Sequence, residues 1–506
     1  MKIIDKLNEI HGKVVKRFVI LGFPIFSLTQ TNAEHFNLYV CCVPLFRINK
    51  KGKVCNVHIL PLVWIYKAIR SLIDFIYRPI KLKKDYDNMF QKSLEYRTKP
   101  EFRKELLEKL ERGEKIKVCL FESRISCWQY EKLYDLLKNS PYFEPVVVLK
   151  PFVFQGKETM ISLMNDAYDI LSAEGYNVVK GYDEETDQYL DVKEVIAPDV
   201  VFYSMYWKPH FEPSFYVDHF ESIYSFLFAY GYDIASHPIH ESMNFELQNK
   251  VTRYYLPTKV HKRIAELNMD SLGTNTLPTG SPKLDLFLDK NYTPADVWKP
   301  QPVRKKRIIW APHHSDGFSA QYYQFNAFYE IYDFMFELAE KYKDSIQIAF
   351  KPHPMLKPKL DQRWGREKAD EYYNRWAELE NGQLEQGEFK DLFLGSDAMI
   401  LDSISFIAEY TITNKPAFFT IGKTSRVNLN TFGKKIFKEL YKPNGDLKKG
   451  IEDFVVNVVI NGNDYQRKKR TQFINEYMLP PNGISASENI YNDMVDIIIN
   501  GKYRRR

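Results

Sequence analysis

Over most of its length the chain groups apolar positions in short runs, bounded by charged or proline residues and separated by stretches with helical spacing. "KIKVCLFE" (115–122), "EPVVVLKPF" (144–152) and "DVVFYSMYW" (199–207) have the continuous apolar character of strands buried on both faces. "GKETMISLMNDAYDILSAEGY" (156–176) reads as a helix between strands, "NKVTRYYLPTKVHKRIAELN" (249–268) as strand, turn and helix, and "TLPTGSPKLDLFL" (276–288) closes this half. The Pro- and charge-rich "KNYTPADVWKPQPVRKK" (290–306) has linker character. A second alternation follows. "RIIWAPHHS" (307–315), "IQIAFKPHP" (346–354), "LFLGSDAMILDS" (392–403) and "PAFFTIG" (416–422) read as strands, and "FNAFYEIYDFMFELAEKYK" (325–343) and about 485–500 as helices. The pattern predicts an α/β chain with two doubly wound, Rossmann-like lobes facing a central cleft, and sites at strand C-termini beside it.

The first stretch is different. "FVILGFPIF" (18–26), "LYVCCVPLF" (38–46) and "VHILPLVWI" (57–65) repeat an apolar–Pro–apolar pattern, with "NKKGK" (49–53) as a turn signal. This predicts a small β-meander of three short strands in which each proline confines its strand to an edge or a bulge. In "LVWIYKAIRSLIDFIYRPIKLKK" (62–84), Ile65, Ile69, Leu72 and Ile76 share one helical face, and Lys67, Arg70, Ser71 and Asp74 fall opposite. Two readings stay open for this amphipathic helix: packing on the following domain, or contact with the anionic lipid of an inner leaflet. The expected domains are a β-repeat and helix module at 1–95, a lobe at 100–290, and a lobe at 300–506 that includes the C-terminal helix.

Composition narrows the class. At 506 residues, 44% hydrophobic and 27% charged, the chain is globular and long enough for more than one core. A net charge of +6 does not identify a nucleic-acid binder, so no nucleic-acid partner is expected. Cys41, Cys42, Cys55, Cys119 and Cys127 are odd in number and contain no CxxC pair, which supports neither a disulfide framework nor a zinc site and fits a reducing compartment. The charged opening "MKIIDKLNEIHGKVVKRF" holds no signal-peptide core, and no apolar run has spanning length. A cytoplasmic location, peripheral to the inner membrane face on the second reading of 62–84, is the expectation.

Three polar clusters follow strands of the second half: His313, His314 and Ser315; Lys351 and His353; Asp402, Ser403 and Ser405. In a parallel sheet those ends share one edge, so the clusters converge although distant in sequence. Their chemistry suits a diphosphate. Hydroxyls and backbone N–H groups at a helix N-terminus donate to phosphate oxygens, and Lys351 and a protonated His353 offset charge. "SISFIAEY" can open such a helix with Ser403 or Ser405 near its N-cap, which places Glu409 about one turn in, towards a ribose. Taken singly, each cluster has a plain structural reading, as an N-cap, a strand terminator or surface histidines. The weight lies in their coincidence.

The ordered set resembles the CDP-glycerol glycerophosphotransferases, a family that includes teichoic-acid and capsule polymerases. Its C-terminal half carries a strand ending "AP(T/H)", an "R/K-x-HP" strand end, a "D-Y-S-S-x-x-x-D" segment and "kP". The counterparts are "IIWAPHH" (308–314), "KPHP" (351–354), "DSISFIAE" (402–409) and "NKPAFF" (414–419), and "TGSPKLDLFL" (279–288) is similar to "TGyPRnD". The resemblance runs over roughly residues 195–425. The family's Tyr and first Ser fall on Ser403 and Ile404, its final Asp on Glu409, and its acceptor-side "HG" on Tyr230–Gly231 in "FAYGYDIASHPIHES" (228–242). His237, His240 and His210 are then candidates for the missing base.

The resemblance implies a two-lobed, glycosyltransferase-B-like enzyme that moves glycerol phosphate from CDP-glycerol to a hydroxyl of a surface glycan or lipid-linked acceptor and releases CMP. It assigns Lys351, His353, Ser403 and Ser405 to the diphosphate, Glu409 to the ribose, Asp402 to loop orientation, His313 and His314 to the region of the transferred phosphate, and His240 to the base. The acceptor side comprises Tyr230, Gly231, His237 and His210. No metal or other cofactor is expected. Two rivals are a nucleotide-sugar glycosyltransferase of the same architecture, acting in capsule or lipopolysaccharide synthesis, and a catalytically degenerate scaffold of a polysaccharide-assembly complex.

Overall fold

The computed structural model describes residues 84–504 apart from 237–242, 316–326, 388, 424 and 426, together with the backbone of the strand residues between 13 and 57. His237 and His240 lie outside the described residues, as does the helix expected over 62–84 except for its last residue. The chain forms two compact units, residues 1–88 and 89–506.

In the first unit β1 (Lys13–Ile20), β2 (Phe23–Gln30), β3 (His35–Val40), β4 (Val43–Asn49) and β5 (Val54–Val57) form an antiparallel meander in sequence order. The meander has five strands where the apolar–Pro–apolar pattern suggested three. Segments 18–26 and 38–46 each span the end of one strand and the start of the next. Proline cannot donate to a ladder, and it sits at register shifts: Pro24 opposite Val19, and Pro44 opposite Tyr39.

The second unit holds two parallel sheets. One orders β14-β13-β12-β11-β6-β7-β8: β6 (Ile116–Glu122), β7 (Phe143–Leu149), β8 (Val178–Lys180), β11 (Val200–Tyr203), β12 (Tyr224–Phe228), β13 (Arg253–Leu256) and β14 (Thr276–Pro278). A short hairpin, β9 (Tyr182–Asp183) with β10 (Gln188–Tyr189), stands apart from it. The other sheet orders β17-β16-β15-β18-β19: β15 (Lys306–Ala311), β16 (Ile346–Phe350), β17 (Gly382–Leu384), β18 (Ala398–Leu401) and β19 (Ala417–Phe419). In each sheet the first strand lies inside, and the chain winds outwards first to one side and then to the other. A topological switch point results, between β6 and β11 in one sheet and between β15 and β18 in the other.

Both sheets are covered on both faces, which is why their strands read as continuous apolar runs. In β6, Val118 and Leu120 enter one core and Cys119 and Phe121 the other. In β15, Ile308 and Trp310 divide in the same way from Ile309 and Ala311. Residues 392–395, expected as strand, end the helix Lys390–Gly395 instead, because Gly395, Ser396 and Asp397 interrupt the run and leave β18 only its last four apolar residues.

The last helix, Ala486–Ile498, opens with a capping box between Ser485 and Glu488. Asp285 of the "TGSPKLD" stretch also accepts from its first backbone N–H groups, those of Ala486 (2.8 Å) and Ser487 (2.9 Å). Ile490, Met494, Ile497 and Ile498 then pack into a core of the seven-stranded sheet. The loop after β12 approaches the helix Thr431–Ile436 closely: the Ile234 carbonyl oxygen would lie 2.0 Å from a Cβ added at Gly433, so only glycine allows that approach. Among the described residues no helix is long and apolar enough to cross a membrane.

Candidate active site

The strand neighbours β16, β15 and β18 end side by side. Their exits bring together the three clusters singled out in the sequence. His313, His314 and His353 cluster as tilted rings, with centroids 4.3 Å (His313–His314), 4.3 Å (His314–His353) and 5.0 Å (His313–His353, edge-on) apart. Asp402 is buried and ties the edge together: its carboxylate accepts from the backbone N–H groups of His313 and of Ala327, the latter at 2.8 Å. Ala327 leads into the helix Phe328–Lys341. Lys351 is buried and donates from Nζ to the Gly387 carbonyl at 2.6 Å.

Beyond β18, Ser403 caps a single 3₁₀ turn, Ile404–Phe406, and accepts from the Ser405 N–H at 3.2 Å. The turn runs on into the helix Ile407–Thr411. Ser405 is exposed. Glu409 is buried, and its Oε1 lies 3.4 Å from Lys283 Nζ. The same oxygen would be 3.9 Å from a Cβ at Gly231, which brings the acceptor-side Tyr230–Gly231 pair up to Glu409.

Hydrogen bonding defines what the histidines can do. The Ser315 N–H donates to His313 Nδ1 at 3.1 Å, and the Met355 N–H donates to His353 Nδ1 at 3.1 Å. A neutral imidazole whose Nδ1 accepts carries its proton on Nε2. The three rings place one nitrogen each within 4.8 Å of one another, close enough to suggest a metal. With Nε2 protonated on two of them, however, the cluster offers donors to an oxygen anion rather than lone pairs to a cation.

Burial first, then the neighbouring His314, His353 and Lys359, push His313 down from 6.5 to about 2. Burial, then His314 and Lys359, push His353 down from 6.5 to about 4. Both rings are therefore neutral near pH 7, and an arriving phosphate works against these effects. The stability that depends on their neutral form is present above the unfolded value of 6.5 and is lost as pH falls towards 4. Asp402 acts in the opposite sense. Burial raises it from 3.8 to about 7, so its contribution is lost as pH rises through that window. His210 and His261, both lowered to about 4 chiefly by burial, add to the histidine side. The melting temperature should therefore fall on acidification below about pH 6.5, and the double change His313→Gln/His353→Gln should flatten that fall; an unchanged slope would mean that neither ring is buried as described.

Tyr230, at the position of the family's "HG" histidine, is held well above its usual value, first by Cys127 and then by burial, and stays protonated. It is a donor at neutral pH, not a base. His210 stands at the exit of β11 against Phe152 and Phe154, each 4.9 Å away. Cys119 and Cys127 are buried free thiols. An open surface depression of about 830 Å³ beside the helix Arg366–Glu378 is lined by Glu367, Asp370, Glu371, Glu378 and Glu380 against the single cation Arg375, a net acidic lining that disfavours a diphosphate. Lys283 and Lys359 were not among the residues expected at the site. Lys283 stands inside the quoted "TGSPKLD" stretch, and Lys359 shortly after "KPHP", so proximity to a motif was the available signal.

The profile of the family described as CDP-glycerol:poly(glycerophosphate) glycerophosphotransferase matches residues 216–494, more than half of the chain. The teichoic acid ribitol-phosphate polymerase TarL of Staphylococcus aureus is 27% identical over 153 residues, which are 29% of this chain and 24% of that protein. The match thus spans about a quarter of that relative's length. A putative UDP-N-acetylglucosamine 2-epimerase from Listeria monocytogenes superposes with a TM-score of 0.49 at 16% identity, covering 78% of this chain and 99% of the other. A histidine variant of the wall teichoic acid polymerase TagF does so with a TM-score of 0.48 at 15% identity, covering 87% and 98%.

Proposed function

We propose, from the premise that the chain belongs to the CDP-glycerol:poly(glycerophosphate) glycerophosphotransferase family, that it moves glycerol phosphate or a related polyol phosphate from a CDP-linked donor to a hydroxyl of a surface glycan or lipid-linked acceptor. An acceptor oxygen forms a bond to the polyol-bearing phosphorus, the bond from that phosphorus to the bridging oxygen breaks, and CMP leaves. The observation that carries this reading is the convergence of Lys351, His353, His313 and the Ser403–Ser405 turn at the ends of three adjacent parallel strands, beside the switch point between β15 and β18.

In this reading the second lobe holds the donor. Ser405, Ser403 and Lys351 take the diphosphate, with His313 and His353 donating Nε2–H to the oxygens that gain charge as the bridging bond lengthens. His314 stands between those two rings. Asp402 acts by positioning, since it fixes the backbone at His313 and Ala327. Glu409 keeps Oε1 on Lys283 and offers Oε2 to the ribose. The first lobe takes the acceptor beside Tyr230 and Gly231, and His240 is assigned as the base for the attacking hydroxyl. Residues 62–84, an amphipathic segment that ends in a basic cluster at Arg78, Lys81, Lys83 and Lys84, are assigned to anionic inner-leaflet lipid.

The test is CMP release from CDP-glycerol in the presence of a short glycerol phosphate oligomer. The reading expects release that depends on the oligomer and is lost in His240→Ala. Release with no dependence on any acceptor would be hydrolysis and would overturn it.

A further inference from the structure

The switch point of the seven-stranded sheet carries polar chemistry that the donor site does not use. Glu122 ends β6 and is fully buried, accepting from Ser123 N–H at 2.8 Å and from Ser204 Oγ at 2.9 Å. Lys150, just past β7, is buried as well; its Nζ donates to Ser123 Oγ at 3.0 Å and lies 4.0 Å from the Phe211 ring centroid. The two opposite charges balance within the fold and brace the loop that follows β6.

That loop presents Arg124. Its Nε–H donates to Cys127 Sγ at 3.1 Å, and its guanidinium carbon is 5.0 Å from the Phe152 ring. Among the described residues no carboxylate lies within ion-pairing distance of it, and its Nη groups make no hydrogen bond. Two further polar groups around this loop have spare capacity. His210 Nδ1 has no partner among the described residues, and His210 is kept neutral by burial and then by Lys150 and Arg124. Among the described residues Tyr230 Oη has only Cys127 Sγ, at 3.9 Å. Trp207 stands 5.5 Å from His210 and 5.1 Å from Tyr230, and Phe154 is 62% exposed.

We propose that this is an acceptor subsite for a phosphate ester of a polyol or sugar, in which Arg124 binds the phosphate and Trp207, Phe154, His210 and Tyr230 hold the carbon chain or ring. It rests on the transferase reading above. A guanidinium fork matches phosphate geometry, aromatic faces and a neutral histidine suit a polyhydroxy chain, and switch points are where open α/β sheets bind ligands. Tyr230 continues into Gly231, which abuts Glu409 of the other lobe, so the subsite opens towards the donor. Except for Tyr230, its residues precede 216, where the match to the family profile starts.

The test is calorimetric titration of the full chain with glycerol 3-phosphate, glycerol, a short poly(glycerol phosphate) oligomer and phosphatidylglycerol vesicles, with CMP present, and in parallel with CDP-glycerol alone. Glycerol 3-phosphate should bind and glycerol should not. Arg124→Gln should weaken the phosphate ester by about tenfold or more, as expected for a lost charge-assisted contact, and leave CDP-glycerol within about twofold. Phe154→Ala, an exposed position that cannot unfold the lobe by cavity formation, should weaken the oligomer by a smaller factor. Preference for the oligomer identifies a polymer end as the source of the phosphate, and vesicle binding that is lost in Arg124→Gln identifies a lipid headgroup; both support the subsite, whereas vesicle binding unchanged in Arg124→Gln belongs to residues 62–84 and counts against a headgroup at Arg124. Unchanged glycerol 3-phosphate binding in Arg124→Gln, or an equal loss of CDP-glycerol, overturns it. If wild-type protein ignores CDP-glycerol but binds glycerol 3-phosphate through Arg124, the donor reading fails and the subsite stands.

Discussion

Asp493→Ala should lower the free energy of unfolding by about 3–5 kcal/mol, the usual cost of breaking a buried ion pair from one side. Asp493 accepts from Arg253 Nε at 2.9 Å and from the Tyr255 hydroxyl at 3.1 Å, and the pair's side chains are 0% and 1% exposed. Arg253 lies in β13 and Asp493 in the last helix, so the contact closes the chain's end onto its first lobe. Without the carboxylate, the guanidinium remains buried against the Tyr503 ring, 3.8 Å away, with no counter-charge. Because the pair's net worth is small, Arg253→Met/Asp493→Leu should recover most of the loss. Denaturant titration of the three proteins tests this. A loss below about 1 kcal/mol in the single variant would show that water reaches the guanidinium.

His353→Ala should cut turnover by about 10²–10³-fold, the scale seen when one preorganised donor to a developing oxyanion is removed, and should move the melting temperature little. The ring is half-buried and accepts one backbone N–H, from Met355, that water can satisfy after truncation. His353→Gln separates two roles. A glutamine amide sets an N–H near the place of Nε2, so a neutral donor is partly replaced and activity partly returns. A proton-transferring imidazole would not be rescued, and His353→Gln would then be as inactive as His353→Ala. Unfolding of both variants would make His353 a structural residue and remove it from the site.

The clusters at 313–315, 351–353 and 402–405 could be placed on one edge from sequence because each follows an apolar run short enough to be only a strand, and parallel strands align their exits. The interior strand β12, "YSFLF", has no visible start in the sequence, because the 3₁₀ turns Pro213–Phe215 and Val217–Phe220 before it are themselves apolar and aromatic. Leu392–Gly395 read as strand for the converse reason, since helix and strand share one apolar run until the Gly-Ser-Asp break is recognised. The state of the histidines could not be read at all. It depends on which backbone N–H reaches each Nδ1, and residue identity does not encode that. Glu122, Lys150 and Arg124 carry no signal in the sequence, because each sits singly beside an apolar strand and gains meaning only when β6, β7 and β11 are neighbours.

The measurement closest to the central claim is a calorimetric comparison of CDP-glycerol, CDP-ribitol, CMP, UDP-glucose and UDP-N-acetylglucosamine on the wild-type chain and on Ser405→Ala. Ser405 is exposed at the turn where the diphosphate is placed and supports nothing in the core. The account predicts binding selective for cytidine nucleotides and weakened about fivefold or more in Ser405→Ala, the loss of one hydrogen bond to a charged group. Binding selective for uridine nucleotides, or no nucleotide binding in the wild type, would contradict it.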